Sequence, residues 1–278
     1  ADALGGAVAD VAYAGPILAA DLARRAGMTE AAPAVVAFRP DLTGAAVKSG
    51  AEIPALFYAV DCAGEHTDAY AFVPEDEGYR LALVSFERSP DAKGGADLTR
   101  GVRVIPPGAS MRIVADQHRL LSDDDIAAWT ALGLGLTSAD LVGLMRGVLD
   151  VTVEYAGQRN QFGAPIGSFQ AVQHLLADAR CLMEGSLSVA LHASWAVDNL
   201  EPADARAAGR VAKAYCARAA RTVCETAVQV HGGIGNTWEC MVHVFLRRAM
   251  LSSQWFGDDG EQLRELQRER LGVVSGLS

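Results

Sequence analysis

The sequence reads as a mainly helical protein: N-terminal helices, a small β-region, and a C-terminal antiparallel helix bundle. Three observations predict this. Beyond residue 121, apolar residues recur three and four apart over long segments, the period of one helix face. Between residues 34 and 105, short runs rich in β-branched and aromatic residues are broken by Pro, Gly and Asp. Residues 1–30 are Ala-rich and carry helix punctuation. Half of the 278 residues are hydrophobic and 21% are charged, which excludes disorder as the dominant state and allows a sizeable core.

Taken in order, "GPILAADLARRAG" has Pro16 where a first turn tolerates it and Gly27 where a helix can stop. The β-like runs are 34–38, 55–61, 69–73, 79–87 and 101–105; their close spacing predicts a small antiparallel sheet or barrel fragment. Residues 88–101 read as a loop from their Gly, Pro and Asp content. Ser122 then caps a helix with three acids in its first turn, where the helix dipole favours them. That helix runs to about Arg159, with Gly133 and Gly135 as places to bend. The next starts near Ser168, its apolar stripe formed by Phe169, Val172, Leu176, Ala179 and Met183. A third follows Pro202 to about Val230 and is dense in Ala, so its neighbours can approach closely. A fourth begins near Thr237, and "DGEQLRELQRERLG" forms a fifth.

The net charge of −10 argues against nucleic acid or an anionic membrane surface as the main partner. Cys62, Cys181, Cys216, Cys224 and Cys240 are scattered among apolar residues without metal-ligand spacing. They read as buried reduced thiols of a cytoplasmic protein, and no metal site is expected. No uninterrupted apolar run approaches transmembrane length, and no basic segment precedes an apolar one near the N-terminus. The first residue is Ala1 and not Met, which leaves room for a natural start upstream.

Two segments carry chemistry. In "YAGQRNQFGAPIGSFQAVQH" (155–174), Arg159 stands at a helix end and Gln170 in the first turn of the next helix. A guanidinium fork suits phosphate, and an amide near a helix start suits a phosphate or a sugar. On spacing alone, the plainer reading of a helix-end cation and a surface amide is the stronger. In "QVHGGIGNTWE" (229–239), Gly232, Gly233 and Gly235 permit close backbone approach. A helix starting at once, with Asn236 and Glu239 spaced as a capping box, would offer free N–H groups to an anion such as a pyrophosphate. The alternative is a helix–helix turn that needs glycine. The segment follows a helix and not a strand, so it is not the Rossmann fingerprint.

Joined with "FLRRA" (245–249), these two segments closely resemble the C-terminal domain of acyl-CoA dehydrogenases, strongly over about residues 122–257. The resemblance implies an acyl-CoA dehydrogenase-like fold. It divides the chain into an N-terminal helical remnant (1–30), a reduced β-domain (31–120) and a C-terminal FAD-binding bundle (121–278). It also implies FAD bound across a subunit interface, with the ADP half held by this domain and the flavin ring in the neighbouring subunit. Arg159 would then pair with the pyrophosphate, Phe162 pack beside the cofactor, and Gln170 bond its ADP part. Gln229 and the Gly232–Gly233 backbone would hold the adenosine–pyrophosphate region.

The family reaction desaturates an acyl-CoA thioester between its α and β carbons, and a glutamate must take the α-proton. The two positions that host this glutamate in the family fall on Phe256 and Gly133, neither of which can accept a proton; the adjacent substrate-holding position is Leu134. The family's flavin-ring and thioester segments have no counterpart in the β-region. Asp258, Asp259 or Glu261 could serve as a base only after a shift of alignment. No catalytic residue is therefore assigned. The expectation is a subunit of a heteromeric α2β2 enzyme, whose homologous partner brings the glutamate and binds most of the acyl-CoA; the family includes such enzymes for steroid side-chain thioesters. The alternative is a scaffold or regulatory paralogue that has lost its cofactor. A flavin oxidase meets the same objection, because it also needs a carboxylate base. His231 and His243 read as structural histidines, and Trp238 and Trp255 as core or interface residues.

Overall fold

The structure is a computed structural model that describes residues 1–9, 11–29, 33–63, 66–87, 95–114 and 119–271. Two helices, α1 (Asp2–Gly6) and α2 (Ala14–Arg25), precede the strands β1 (Val35–Phe38), β2 (Phe57–Val60), β3 (Asp68–Glu75), β4 (Gly78–Ser85), β5 (Val102–Ile105) and β6 (Met111–Ile113). The long α3 (Asp123–Gln158) follows. A hairpin of β7 (Asn160–Gln161) and β8 (Ala164–Pro165) leads to α4 (Gln170–Asn199), α5 (Pro202–His231), α6 (Val242–Gln254) and α7 (Asp259–Leu271).

Among the described residues, the first six strands form one sheet in the order β5-β2-β1-β3-β4-β6. It is not purely antiparallel. Val35 pairs with Ala69 in a parallel β1–β3 ladder, while β1 and β2 pair antiparallel through Ala37 and Ala59. The chain leaves β2 through Asp61, at φ +63, and crosses to the far side of β1 before β3 begins. β6 escaped the sequence reading because three residues are too few to show alternation. Alternation elsewhere sorts the side chains. Val36, Phe38, Tyr70, Phe72 and Leu81 face α2 and α3, while Val35, Ala37, Ala69, Ala71 and Val84 form a second core on the other face. Residues 95–101 of the expected loop form neither helix nor strand, and 88–94 lie outside the described residues.

α3 is the spine shared by sheet and bundle. Ser122 Oγ accepts the Asp125 N–H at 3.1 Å, and the Asp125 carboxylate accepts the Ser122 N–H at 3.0 Å. This is a reciprocal capping box. The helix passes Gly133 and Gly135 unbroken. By length and composition it is apolar enough to cross a bilayer, but 72% of its most apolar window is buried inside the fold, as in the core helix of a packed domain. Its first half places Trp129 and Leu134 against the sheet, and its second half places Leu141, Leu144, Met145 and Val148 against α4–α6. The small side chains of α5, among them Ala212, Ala217, Ala219 and Ala220, are buried in that contact.

Candidate functional site

α3 and α5 end side by side. The Tyr155 ring, one turn before Arg159, stacks on the His231 imidazole with centroids 4.2 Å apart and planes 18° from parallel. His231 is buried, and its Nδ1 lies 2.9 Å from the Ala227 carbonyl, which fixes the ring against its own helix. The stack therefore brings the 155–174 and 229–239 segments to one end of the bundle.

Arg159 leaves α3 with extended backbone, and the hairpin turns through Phe162 and Gly163 at φ +53 and +81. Two consecutive left-handed residues make the tight turn whose twist matches a two-residue hairpin. Its consequence is that Phe162 stands 96% exposed, touched edge-on by Phe169. Phe169 caps α4 without a side-chain hydrogen bond, and Gln170 is exposed in its first turn. Among the described residues, the side chains of Arg159, Gln170 and Gln229 make no hydrogen bond or ion pair, and all three are exposed.

Beyond Gln229, the expected immediate helix does not form. Gly232 ends α5 at φ +66, residues Gly232–Asn236 make a short 3-10 turn, and α6 begins only at Val242. The anticipated Asn236–Glu239 capping box is absent, because Thr237 Oγ1 instead donates to the Ile234 carbonyl at 2.8 Å and tightens the turn. The start of α6, and with it the N-terminal end of a helix dipole, lies further along the chain at Val242. What remains is the Gly232–Gly233 backbone, exposed, with nothing within 4 Å of where either Cβ would stand. A free guanidinium, two free amides and an unobstructed backbone are groups that can hold an anionic, polar ligand.

The two positions where a family glutamate would stand meet each other. A Cβ added at Gly133 would lie 2.1, 2.5 and 2.6 Å from Phe256 Cζ, Cε2 and Cε1. Phe256 is buried, with backbone at φ +66. Its ring packs against Phe38 and Trp129, both with centroids at 5.2 Å. Leu134 is fully buried as well. The neighbouring acids are engaged elsewhere. Asp258 accepts the Glu261 N–H, Asp259 pairs with Arg218 at 3.0 Å, and Glu261 pairs with Arg264 at 2.7 Å. Among the described residues, none of these three acids is bonded to the Phe38–Trp129–Phe256 cluster.

Sequence reasoning missed a buried charge network between sheet and bundle. Asp140 of α3 is fully buried and pairs at 2.9 Å with both Arg100 and Arg248. Its carboxylate also accepts from Tyr13 and Ser252, both at 2.9 Å. Burial pushes the Asp140 carboxyl up, but the two guanidiniums outweigh it and hold the group below the usual carboxylate range. A lone acid inside the apolar run "TSADLVGLM" was the available signal, since such a residue must find partners. Trp255 is core, whereas Trp238 is 76% exposed and meets buried His243 edge-on at 5.0 Å.

The family model for the acyl-CoA dehydrogenase C-terminal domain matches residues 133–271. The chain belongs to the acyl-CoA dehydrogenase family. Over 173 residues it is 37% identical to acyl-CoA dehydrogenase IpdE2 of Mycolicibacterium smegmatis, covering 62% of this chain and 50% of that protein. It thus spans about half the length of this relative, and 22% of acyl-CoA dehydrogenase FadE34 of Mycobacterium tuberculosis, to which it is 38% identical over 157 residues, 52% of this chain. Among solved structures, a chain of the ChsE4–ChsE5 complex from Mycobacterium tuberculosis superposes with a TM-score of 0.78 at 24% identity, covering 99% of this chain and 79% of that one. The acyl-CoA dehydrogenase-like fold is therefore shared over essentially the whole described chain, including the small sheet.

Proposed function

We propose that this chain is one subunit of a heteromeric, FAD-dependent acyl-CoA dehydrogenase. It holds the ADP half of FAD, and a homologous partner supplies the base and most of the acyl-CoA pocket. One observation supports the reading: the bundle end that carries Arg159, Gln170 and Gln229 is exposed and, among the described residues, unpaired, while the Phe256 ring lies over Gly133, where the family base would stand. Members of the family are FAD flavoproteins, and an exposed guanidinium, two exposed amides and an unobstructed glycine backbone suit an ADP moiety. Arg159 would meet the pyrophosphate, Gln170 and Gln229 would bond its polar edges, and the Gly232–Gly233 backbone would approach it without obstruction. Phe162, held out in water by its hairpin, would gain cover. FAD held there would supply a hydride acceptor for the β-carbon; among the described residues Phe256 and Gly133 offer the α-proton no acceptor, so a carboxylate of the partner would have to take it.

A likeness to the ChsE4–ChsE5 complex and to the Tcur3481–Tcur3483 steroid ACAD, the latter at a TM-score of 0.67 and 22% identity over 88% of this chain and 68% of that one, supports a homologous partner and a steroid side-chain thioester as substrate. We further propose a cytoplasmic assembly without nucleic acid or membrane partners, a reading supported by the net charge of −10 and the scattered cysteines.

The test is co-expression with the homologous chain and measurement of bound flavin and acyl-CoA turnover. About one FAD per heterodimer is expected, with little flavin on the isolated chain. Arg159→Ala removes a charge-assisted contact and should weaken flavin binding by about tenfold to a hundredfold. Turnover by the isolated chain would refute the division of labour. Full flavin retention after Arg159→Ala would favour a scaffold that no longer holds cofactor.

A further inference from the structure

Lys213 lies near the middle of α5 and is fully buried. Its Nζ donates to the carbonyls of Ser253 and Gly257, at 2.7 and 3.1 Å. Those carbonyls bracket Phe256, one in the last turn of α6 and the other directly after the ring. A second clamp acts on the same turn. Gln262 of α7 donates to the Phe256 carbonyl, and Arg210, one turn before Lys213, donates to Gln262 at 3.0 Å. The turn needs holding, because Phe256 and Gly257 sit at φ +66 and +91, and a side chain in that region is disfavoured.

Burial without a counter-ion disfavours the charged amine: Lys213 is fully buried, among the described residues it makes no ion pair, and its two acceptors are neutral carbonyls. Few charged or titratable groups act on it. Those that act on it are Cys216 on α5 and Asp258 and Asp259 before and at the start of α7, while α6 supplies the Ser253 carbonyl. Asp259 is paired to Arg218 and Asp258 accepts the Glu261 N–H, and neither is an ion-pair partner of Lys213.

We infer that Lys213 is a positioning residue acting through Phe256: as a neutral amine it latches the Phe256–Gly257 turn and keeps the ring seated over Gly133, and protonation favours release. Burial pushes the Lys213 amine down to about 7, against the weaker pull of Cys216, Asp258 and Asp259. An opened turn would let the amine return toward its ordinary 10.5. The open form therefore binds more protons than the closed form between these values. Opening becomes harder as pH rises from about 7 and is insensitive to this group below it. The latch belongs to this chain's own fold and stands apart from the flavin reading.

The test is amide exchange of the full chain, corrected for intrinsic rates. The probes are the Phe256 and Gly257 N–H groups, bonded to the carbonyls of Leu42 and Gln254. Protection of both should rise about tenfold between about pH 7.5 and about pH 8.5, and this slope should vanish in Lys213→Met. A ¹³C titration of the Lys213 side chain should give a midpoint near 7. A flat protection profile in the wild-type chain, a slope that persists in Lys213→Met, or an unshifted lysine titration would each overturn the proposal. Should Lys213→Met not fold, the wild-type profile and the titration decide.

Discussion

Gly133 and Phe256 are complementary in shape, and their mutual dependence can be measured. Gly133→Ala puts a methyl 2.1 Å from Phe256 Cζ, far inside contact distance, so the ring or α3 must shift. Overpacking of this kind costs about 1–3 kcal/mol, against about 1 kcal/mol gained from replacing a helical glycine by alanine. The single substitution should therefore be neutral to destabilising by about 2 kcal/mol. Phe256→Ala removes a buried ring from a cluster with Phe38, Trp129 and Trp255 and should cost about 3–5 kcal/mol. In the double variant the clash is gone, the alanine methyl enters the vacated space, and Gly133→Ala should become stabilising by about 1 kcal/mol. The coupling energy is then about 1–3 kcal/mol. Guanidinium unfolding of the four chains, followed by far-UV circular dichroism, gives all the terms. Additivity within about 0.5 kcal/mol would refute the claim that this ring fills the glycine's hollow.

Other consequences follow from single sites. Asp140→Asn leaves Arg100 and Arg248 buried without their anion and should destabilise the chain by about 3–5 kcal/mol in denaturant titration. Because the Asp140 carboxyl is held below its ordinary 3.8, its contribution is present above that value and lost as pH falls through the lowered one. The acid limb of the stability profile should accordingly flatten in Asp140→Asn. Ser122→Ala removes the acceptor for the Asp125 N–H and should cost about 1 kcal/mol, while Ser122→Asp should retain most of the cap.

Much of the helical architecture was written locally. Ser122 with its run of acids, Pro202 at a first turn and the Ala-dense stretch to His231 each act within a few residues of themselves, so their helices appear where the sequence places them. The motif residues were legible too, through order and spacing, and the structure places Arg159, Phe162, Gln170, Gln229, Gly232 and Gly233 as exposed residues at the ends of α3 and α5, in the β7–β8 turn and at the start of α4. The start of α6 was not legible. Asn236 and Glu239 fit a capping box on paper, but the Thr237 hydroxyl found the Ile234 carbonyl first.

What the sequence alone determined was which segments coil, which extend, and that positions 133 and 256 hold no acid. These are matters of residue chemistry and of hydrogen bonds closed within a turn or two. Tertiary structure decided the parallel pairing of β1 with β3, the burial of Asp140 among cations more than 30 residues away in the chain, and the seating of one aromatic ring in the hollow of one glycine. Such contacts join residues far apart in sequence. Their energies depend on distances that exist only once the chain has closed on itself.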